Sequence, residues 1–487
     1  MLSSKRYSDA DAFYRKALEA DKSSLEDRYG LVNALIGEDK TEEALQEAEA
    51  MTKLTPEPAL AEVALSEAEY RAGSPNEAEA HARKALSLSP CEGRALYALA
   101  SVYEIWGYNH RAGMLIHSAH SVRPKDELIL REWIFMLPRK ERLAALEQYM
   151  QGTNTINQGD RSSYQNSLDH MKAHHAGECR VTSVSDEVKT PLAPIYGDNS
   201  HPVAYGLDVY FNNKRRRMQI DTGASGITLT SSAARSLNLT PEFQHGITGV
   251  GDEGKANAYL THVDKIRIGD VEISNCLVDV VEKSRLDVDG LIGMDVFDRW
   301  LVTLDYQQGQ LLLNPLPKRP EDPAKPTLDD DAAETSSNLH DPYIAPEMQN
   351  FNSIIRIGHQ IMLPSAFNNK GPVHYLILDT GAQQSNVSLQ MGKELGKLSS
   401  SPMEFVGLSG RVQKVYETKD ASLRTANLLL PQQSYYCYDT THLSHSNGFE
   451  TSGLLGLPTL QRLKIQIDYR DNLIKLTYDP NHDTMKF

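Results

Sequence analysis

With 487 residues, 40% of them apolar, the chain can bury several cores, so two or three domains are expected. A net charge of -15 argues against a nucleic-acid or anionic-membrane partner, because such binders present clustered basic surface. The four cysteines, Cys91, Cys179, Cys276 and Cys437, are widely spaced with no Cys-x-x-Cys pair, which indicates neither a disulfide framework nor a zinc knuckle. No run of 18 apolar residues occurs and the N-terminus lacks the apolar core of a signal peptide, so a soluble chain without membrane insertion is expected.

The first 124 residues repeat with a period of 34. Ala10, Ala44, Ala78 and Ala112 share one register, Ala17, Met51, Ala85 and Ala119 a second, and Lys22, Pro56, Pro90 and Pro124 a third. Small residues at fixed positions let paired helices approach closely and Pro closes each unit, a pattern that resembles the tetratricopeptide (TPR) repeats. The unit ending at Pro124 fits best, through Leu96, Leu99, Ala100, Tyr103, Gly107, Ala112, Ile116 and Ala119. The unit ending at Pro90 places Glu62, Ser66 and Glu69 where apolar or small residues are usual. Tyr7 to Ala20 reads as a second helix without its first. This implies missing upstream sequence, and a signal peptide could have gone with it.

Two further helices are expected from about Asp126 to Leu137 and Lys140 to Met150, separated by Pro138, and another near Arg161 to Ala173. The last leads into His170, His174, His175 and Cys179, whose spacing could in principle put metal ligands on one face. A polar helix end explains them as well, and no metal or other cofactor is expected. From about residue 190 the pattern turns to strands: Val203 to Phe211, Arg217 to Ile220, and short strands between Ile266 and Val281 bounded by Gly269-Asp270 and Asn275. The basic run Lys214-Arg215-Arg216-Arg217 reads as a solvated hairpin turn, with a docking patch or processing site as the alternative. Residues 317–346, rich in Pro and acidic at Asp329-Asp330-Asp331, read as a connector unable to form a core. The expected domains are therefore 1–150 helical repeats, 151–190 a helical connector, 191–316 and 347–487 two β-rich halves, and 317–346 the linker between them.

Two apolar strands run into the same tetrapeptide: Met218-Gln219-Ile220 into Asp221-Thr222-Gly223-Ala224, and Leu376-Ile377-Leu378 into Asp379-Thr380-Gly381-Ala382. A glycine-bearing segment begins 28 residues after each aspartate, Gly249-Val250-Gly251 and Gly407-Leu408-Ser409. Farther on, Gly290-Leu291-Ile292-Gly293 and Gly453-Leu454-Leu455-Gly456 head two stretches that align without a gap at an offset of 163 residues. One fold is written twice. Cys276 and Cys437 fall in comparable stretches and read as one small buried position inherited by duplication.

At these residues the chain resembles the retropepsin-like aspartic proteases, over about 190 to 480. The resemblance implies a multidomain protein: an N-terminal α-helical TPR solenoid, then an all-β tandem retropepsin-like (pepsin-like bilobal) protease domain. It implies a catalytic dyad of Asp221 and Asp379, one from each half. Thr222 and Thr380 would bond across the junction of the halves, and Gly223 and Gly381 would turn the backbone beside the dyad, with Ala224 and Ala382 following. Gly249, Val250, Gly251, Gly407, Leu408 and Ser409 would be flaps closing over an extended peptide. Repeat-bearing bacterial members of the family make a periplasmic or secreted bacterial protein the preferred setting.

The chemistry follows from the pair. Hydrolysis without a metal or covalent intermediate needs one group to take a proton from water and another to give one to the carbonyl oxygen. Two carboxylates about 3 Å apart share one proton because they do not both ionise readily. Ala224 and Ala382, where pepsin-like enzymes commonly have Ser, remove hydroxyl donors and predict a mildly acidic optimum. Ser225 and Gln383 differ, so contacts to the substrate backbone should be asymmetric. The expected activity is an aspartic endopeptidase on a protein or peptide substrate, with a possible protein partner on the TPR face and a monomer favoured over a dimer. The alternative is a non-catalytic peptide-binding scaffold that keeps the protease fold.

Overall fold

The computed structural model describes residues 2, 5–54, 58–153, 156–173, 179–183, 187–197, 202–247, 249–250, 256–283, 288–320, 340–368, 371–408 and 410–480. The chain divides into two compact units, one of Met1–Ala173 with Asp331–Asp341 and Ser444–Glu450, the other of His174–Asp330, Pro342–Leu443 and Thr451–Phe487. No helix among the described residues is long and apolar enough to cross a membrane.

The first unit is helical. Tyr7–Ala20, Leu25–Gly37, Thr41–Met51, Ala59–Arg71, Pro75–Leu88, Gly93–Ile105, Asn109–Val122, Glu127–Met136, Arg139–Gly152 and Gln158–Ala173 follow one another through short turns. Local chemistry sets their starts. Ser24 and Asp126 accept hydrogen bonds from the first-turn amides of the helices they precede, and Pro75 occupies a first-turn position that has no amide to satisfy. Ala10, Ala44, Ala78 and Ala112 are all fully buried, as are Met51, Ala85 and Ala119. The period is also written in the backbone: Lys5, Asp39, Gly73 and Gly107, 34 residues apart, all take positive φ, from 55° to 79°.

The poorly fitting unit is explained by its partners. Glu62 is buried but binds His81 Nδ1 at 2.7 Å and Lys84 Nζ at 2.6 Å, and the Ser66 hydroxyl donates to the Ala78 carbonyl at 2.7 Å. Buried polar groups are tolerated where they are paired. Of the histidine cluster, the His170 side chain, His174 and His175 lie outside the described residues.

The second unit is built of three principal sheets. In the first half the strand order is Arg180–Ser183, Val271–Val281, Ile227–Thr230, Gly290–Ile292, Lys214–Ile220, Pro202–Phe211, Ala256–Ile268 and Phe243–Ile247, with Ala193–Tyr196 on Pro202–Phe211. Val271–Val281 also pairs with Ala256–Ile268, which curls the sheet on itself. The second half repeats the plan with Ile355–Ile357, Gln360–Phe367, His374–Leu378, Gly453–Leu455, Asn386–Ser388, Leu428–Tyr438, Tyr416–Thr425 and Ser399–Ser400, and Gln360–Phe367 meets Tyr416–Thr425.

A six-stranded sheet joins the halves: Asn352–Ser353, Leu473–Tyr478, Leu463–Asp468, Trp300–Asp305, Gln310–Pro315 and Val188–Pro191. Its two central strands are the duplicated copies. They pair antiparallel with Leu301 opposite Asp468 and Asp305 opposite Lys464, so Thr303 faces Gln466, its own counterpart at the 163-residue offset. A pseudo-two-fold axis therefore passes between these two residues, the geometry of a self-complementary dimer interface inside one chain. A continuous apolar core runs from Val188 to Leu476 and draws on strands of all three sheets.

Five expectations are corrected here. The basic run is not the turn: Asn212 and Asn213, with φ of 47° and 67°, make it, and Lys214–Ile220 is strand. Ile266 to Val281 is not a set of short strands but the end of one long strand and the whole of another, with Asn275 a positive-φ irregularity inside the latter.

A disulfide is present, Cys179–Cys276, and it fastens the edge strand Arg180–Ser183 to Val271–Val281. Nor is Cys276 the counterpart of Cys437. Leu229 pairs with Gly290 and Val280, whereas Val387 pairs with Gly453 and Cys437, so Cys437 matches Val280.

Finally, the ends of the connector do join a core. Arg319 and Asp471 form a buried ion pair, the Tyr343 amide donates to Asp471 at 2.8 Å, and Ala345 and Met348 pack on Leu473. Residues 321–339 lie outside the described residues.

Candidate active site

Two strand ends set the site. Lys214–Ile220 and His374–Leu378 each deliver an aspartate to a tight turn, and each runs parallel to a short apolar strand, Gly290–Ile292 or Gly453–Leu455. The Asp221 amide donates to the Ile292 carbonyl and the Asp379 amide to the Leu455 carbonyl, both at 3.0 Å. The turns then fold back on their own carboxylates. Asp221 Oδ1 accepts from the Gly223 amide at 2.8 Å, and Asp379 Oδ1 accepts from the amides of Gly381 and Ala382 at 2.8 and 2.9 Å.

The threonines lace the turns together. The Thr222 hydroxyl donates to the Leu378 carbonyl at 2.6 Å and accepts from the Thr380 amide at 3.0 Å. Reciprocally, the Thr380 hydroxyl donates to the Ile220 carbonyl at 3.3 Å and accepts from the Thr222 amide at 3.0 Å. Both side chains are buried. Each hydroxyl thus satisfies two backbone groups of the opposite half that no strand ladder reaches.

This lattice brings the carboxylates face to face. A Cβ on Gly381 would lie 2.5 Å from the Asp221 carboxyl carbon, and one on Gly223 would lie 3.0 Å from that of Asp379. Any side chain at either position would push the aspartates apart. Burial raises Asp379 well above the usual carboxylate range, and the neighbouring Asp221 charge raises it further. Burial also raises Asp221, but the Gly223 amide, a hydrogen bond from Asp379 and the electrostatic effect of His359 hold it down. The two groups therefore titrate as one unit with unequal halves.

Beyond the turns the halves diverge. In the first, Asp295 receives the Ser225 hydroxyl at 2.8 Å and the Gly226 amide at 2.9 Å, so a carboxylate ties off the turn. In the second, Pro458 stands at the matching position and the Ser385 hydroxyl accepts from the Gly456 amide at 3.0 Å instead. His359 Nε2 sits 3.0 Å from the Gly223 carbonyl oxygen. Sequence reasoning missed Asp295 and His359. The gapless alignment of the halves carried a signal for the first, an acid opposite a proline; His359 had none.

Of the flap residues, Gly249, Val250, Gly407 and Leu408 are described, and Gly251 and Ser409 lie outside the described residues. The two segments touch: a Cβ on Gly407 would lie 2.3 Å from the Val250 carbonyl oxygen, and one on Gly249 2.9 Å from Leu408 Cβ. Val250, together with Phe405 and Tyr436, packs against the buried cluster of Val412, Val415 and Tyr438.

Comparisons with known proteins bear on this region. A solved structure described as a retropepsin-like aspartic protease from Rickettsia conorii is 22% identical, covering 28% of this chain and 94% of its own, with a TM-score of 0.21. No curated protein matches the chain. Residues 207–296, which hold Asp221, Thr222, Gly223 and the Gly290–Gly293 run, match the family model described as aspartyl protease.

Proposed function

We propose that the chain is a single-chain aspartic endopeptidase, with Asp221 and Asp379 as its dyad and Thr222, Gly223, Ala224, Thr380, Gly381 and Ala382 as its scaffold. The observation that carries this reading is the two carboxylates, Asp379 buried and Asp221 partly buried, facing each other across two glycines, with both raised above the ordinary carboxylate range. Asp379 holds the shared proton and Asp221 is the carboxylate. A water bound between them loses a proton to Asp221 as it attacks the scissile carbonyl, while Asp379 gives its proton to the carbonyl oxygen. The C–N bond then breaks as Asp221 gives its proton to the leaving amine and Asp379 takes one back from a hydroxyl of the gem-diol, which leaves a carboxylic acid product and restores the shared proton.

The flap segments 249–251 and 407–409 close over an extended peptide and exclude water. The helical unit is a TPR array that recruits a substrate or partner protein. A disulfide at Cys179–Cys276 supports an oxidising compartment, such as the periplasm or the exterior.

The test is cleavage of an unbiased peptide mixture from mildly acidic to neutral pH by the native chain, Asp221→Asn and Asp379→Asn. Cleavage lost in both variants supports a shared dyad. Loss in only one, or no cleavage by the native chain at any pH, sinks it.

A further inference from the structure

The two halves differ in length at one place near their catalytic turns. Val281 and Tyr438 hold matching positions, as do Gly290 and Gly453. Between them the first half has eight residues, 282–289, and the second fourteen, 439–452. The six extra residues give the second half a short helix, Thr441–Asn447, and a following turn at Gly448 with φ of 63°. The Thr440 hydroxyl donates to the Thr451 carbonyl at 3.2 Å, closing the neck of this excursion.

The excursion carries an anchor. Phe449 is fully buried although it sits at a loop end, and its ring lies edge-on to Tyr70 of the helical unit with centroids 5.5 Å apart. Around it the charges alternate. Glu450 lies 4.0 Å from Arg71, which also pairs with Asp39, and Asp39 in turn meets His445 Nδ1 at 3.0 Å. A Cβ on Gly73 would come within 3.1 Å of Glu450 Cβ, so the turn is bare where the segment crosses it. Asp39 and Gly73 are successive members of the 34-residue series of positive-φ turns, which makes this surface the product of two adjoining repeats.

We infer that this surface is a docking site for a protein segment presenting an aromatic residue followed by a carboxylate, occupied in this structure by the chain's own Ser444–Glu450. Tyr70 takes the aromatic ring, Arg71 the carboxylate, and Asp39 a cationic or donor side chain four residues before the ring. A partner segment of the same chemistry competes with the internal one. Its release would free the stretch that leads through Ser452, which accepts from the Ser388 amide at 2.7 Å, into the strand whose Leu455 carbonyl receives the Asp379 amide.

The probe is a fluorescent peptide with the sequence of residues 441–452, and the readout is anisotropy with the full chain. Phe449→Ser removes the internal competitor's anchor, so it should bind the peptide about tenfold tighter than the native chain, which reaches the competent state only when its own segment lifts. Adding Tyr70→Ala to Phe449→Ser should abolish binding. Equal affinity for native and Phe449→Ser, no binding to either, or binding that survives Tyr70→Ala overturns the inference. Hydrogen exchange on Glu450→Lys provides a check that needs no core substitution. Amides of Ser444–Glu450 should exchange faster than in the native chain, and unchanged exchange counts against the site.

Discussion

Replacing Thr222 by valine keeps the shape of the side chain and deletes one hydroxyl. That hydroxyl serves the Leu378 carbonyl and the Thr380 amide, both belonging to the other half and both at a buried junction. Each group left unpaired in such a place costs about 1–3 kcal/mol, so the variant should lose on the order of 3 kcal/mol, more than an ordinary hydrogen bond contributes. Thr222→Ser retains the hydroxyl and should fall within about 1 kcal/mol of native. The double variant with Thr380→Val should cost less than the two single costs combined, because either change already loosens the same pair of turns. Trp300, buried in the β unit, reports urea unfolding once Trp106 and Trp133 of the helices are replaced by Phe. Cleavage assays on the same samples should show activity falling with stability. A Thr222→Val chain within about 0.5 kcal/mol of native, or a serine variant as damaged as the valine one, refutes the reasoning.

The dyad also links stability to pH. Because the folded state raises Asp379 above its unfolded value, the group's stabilising contribution is complete below the ordinary carboxylate range. It is lost as pH rises through the raised value. Asp379→Asn removes that loss, so the native melting temperature should fall relative to the variant as pH rises above the ordinary carboxylate range, and parallel profiles would refute the assignment. The same proton should give the native enzyme a mildly acidic optimum; a rate maximum below about pH 3 contradicts it. Thiol titration of the denatured, unreduced chain should find two reactive cysteines, Cys91 and Cys437, and four after reduction. Opening the Cys179–Cys276 link with Cys179→Ser frees partners 97 residues apart and should cost about 4.7 kcal/mol on the chain-entropy account. Four free thiols without reductant would show that the bond does not form.

What the sequence made legible is what duplication or periodicity wrote more than once. The two Asp-Thr-Gly-Ala turns, the flap segments and the gapless downstream run could be aligned before any coordinates, as could the alanine registers of the helices. Single features stayed hidden. Asp39 and Lys5 take the same backbone turn as Gly73 and Gly107, but nothing in an aspartate or a lysine announces a positive φ. Cys179 and Cys276 read as unrelated residues because closure across 97 positions depends on the edge strand that brings them together. Matching Cys437 with Cys276 failed for a related reason: the stretches from the ends of their strands to Gly290 and Gly453 differ by six residues, and only the pairing partners reveal the true correspondence. Asp295 and His359 are recognised by what they reach, the Ser225–Gly226 corner and the Gly223 carbonyl, rather than by their neighbours in the chain.

The axis between Thr303 and Gln466 has an evolutionary corollary. In an assembly of two identical chains every mutation is made twice, and a change that helps one side of the site is imposed on the other. Fusing the copies lifts that constraint, so each side can be edited alone. Asp295 against Pro458, Ser225 against Gln383, and six residues added to one side only are edits of this kind. Under the function proposed above, such edits let each end of a bound peptide have its own fit.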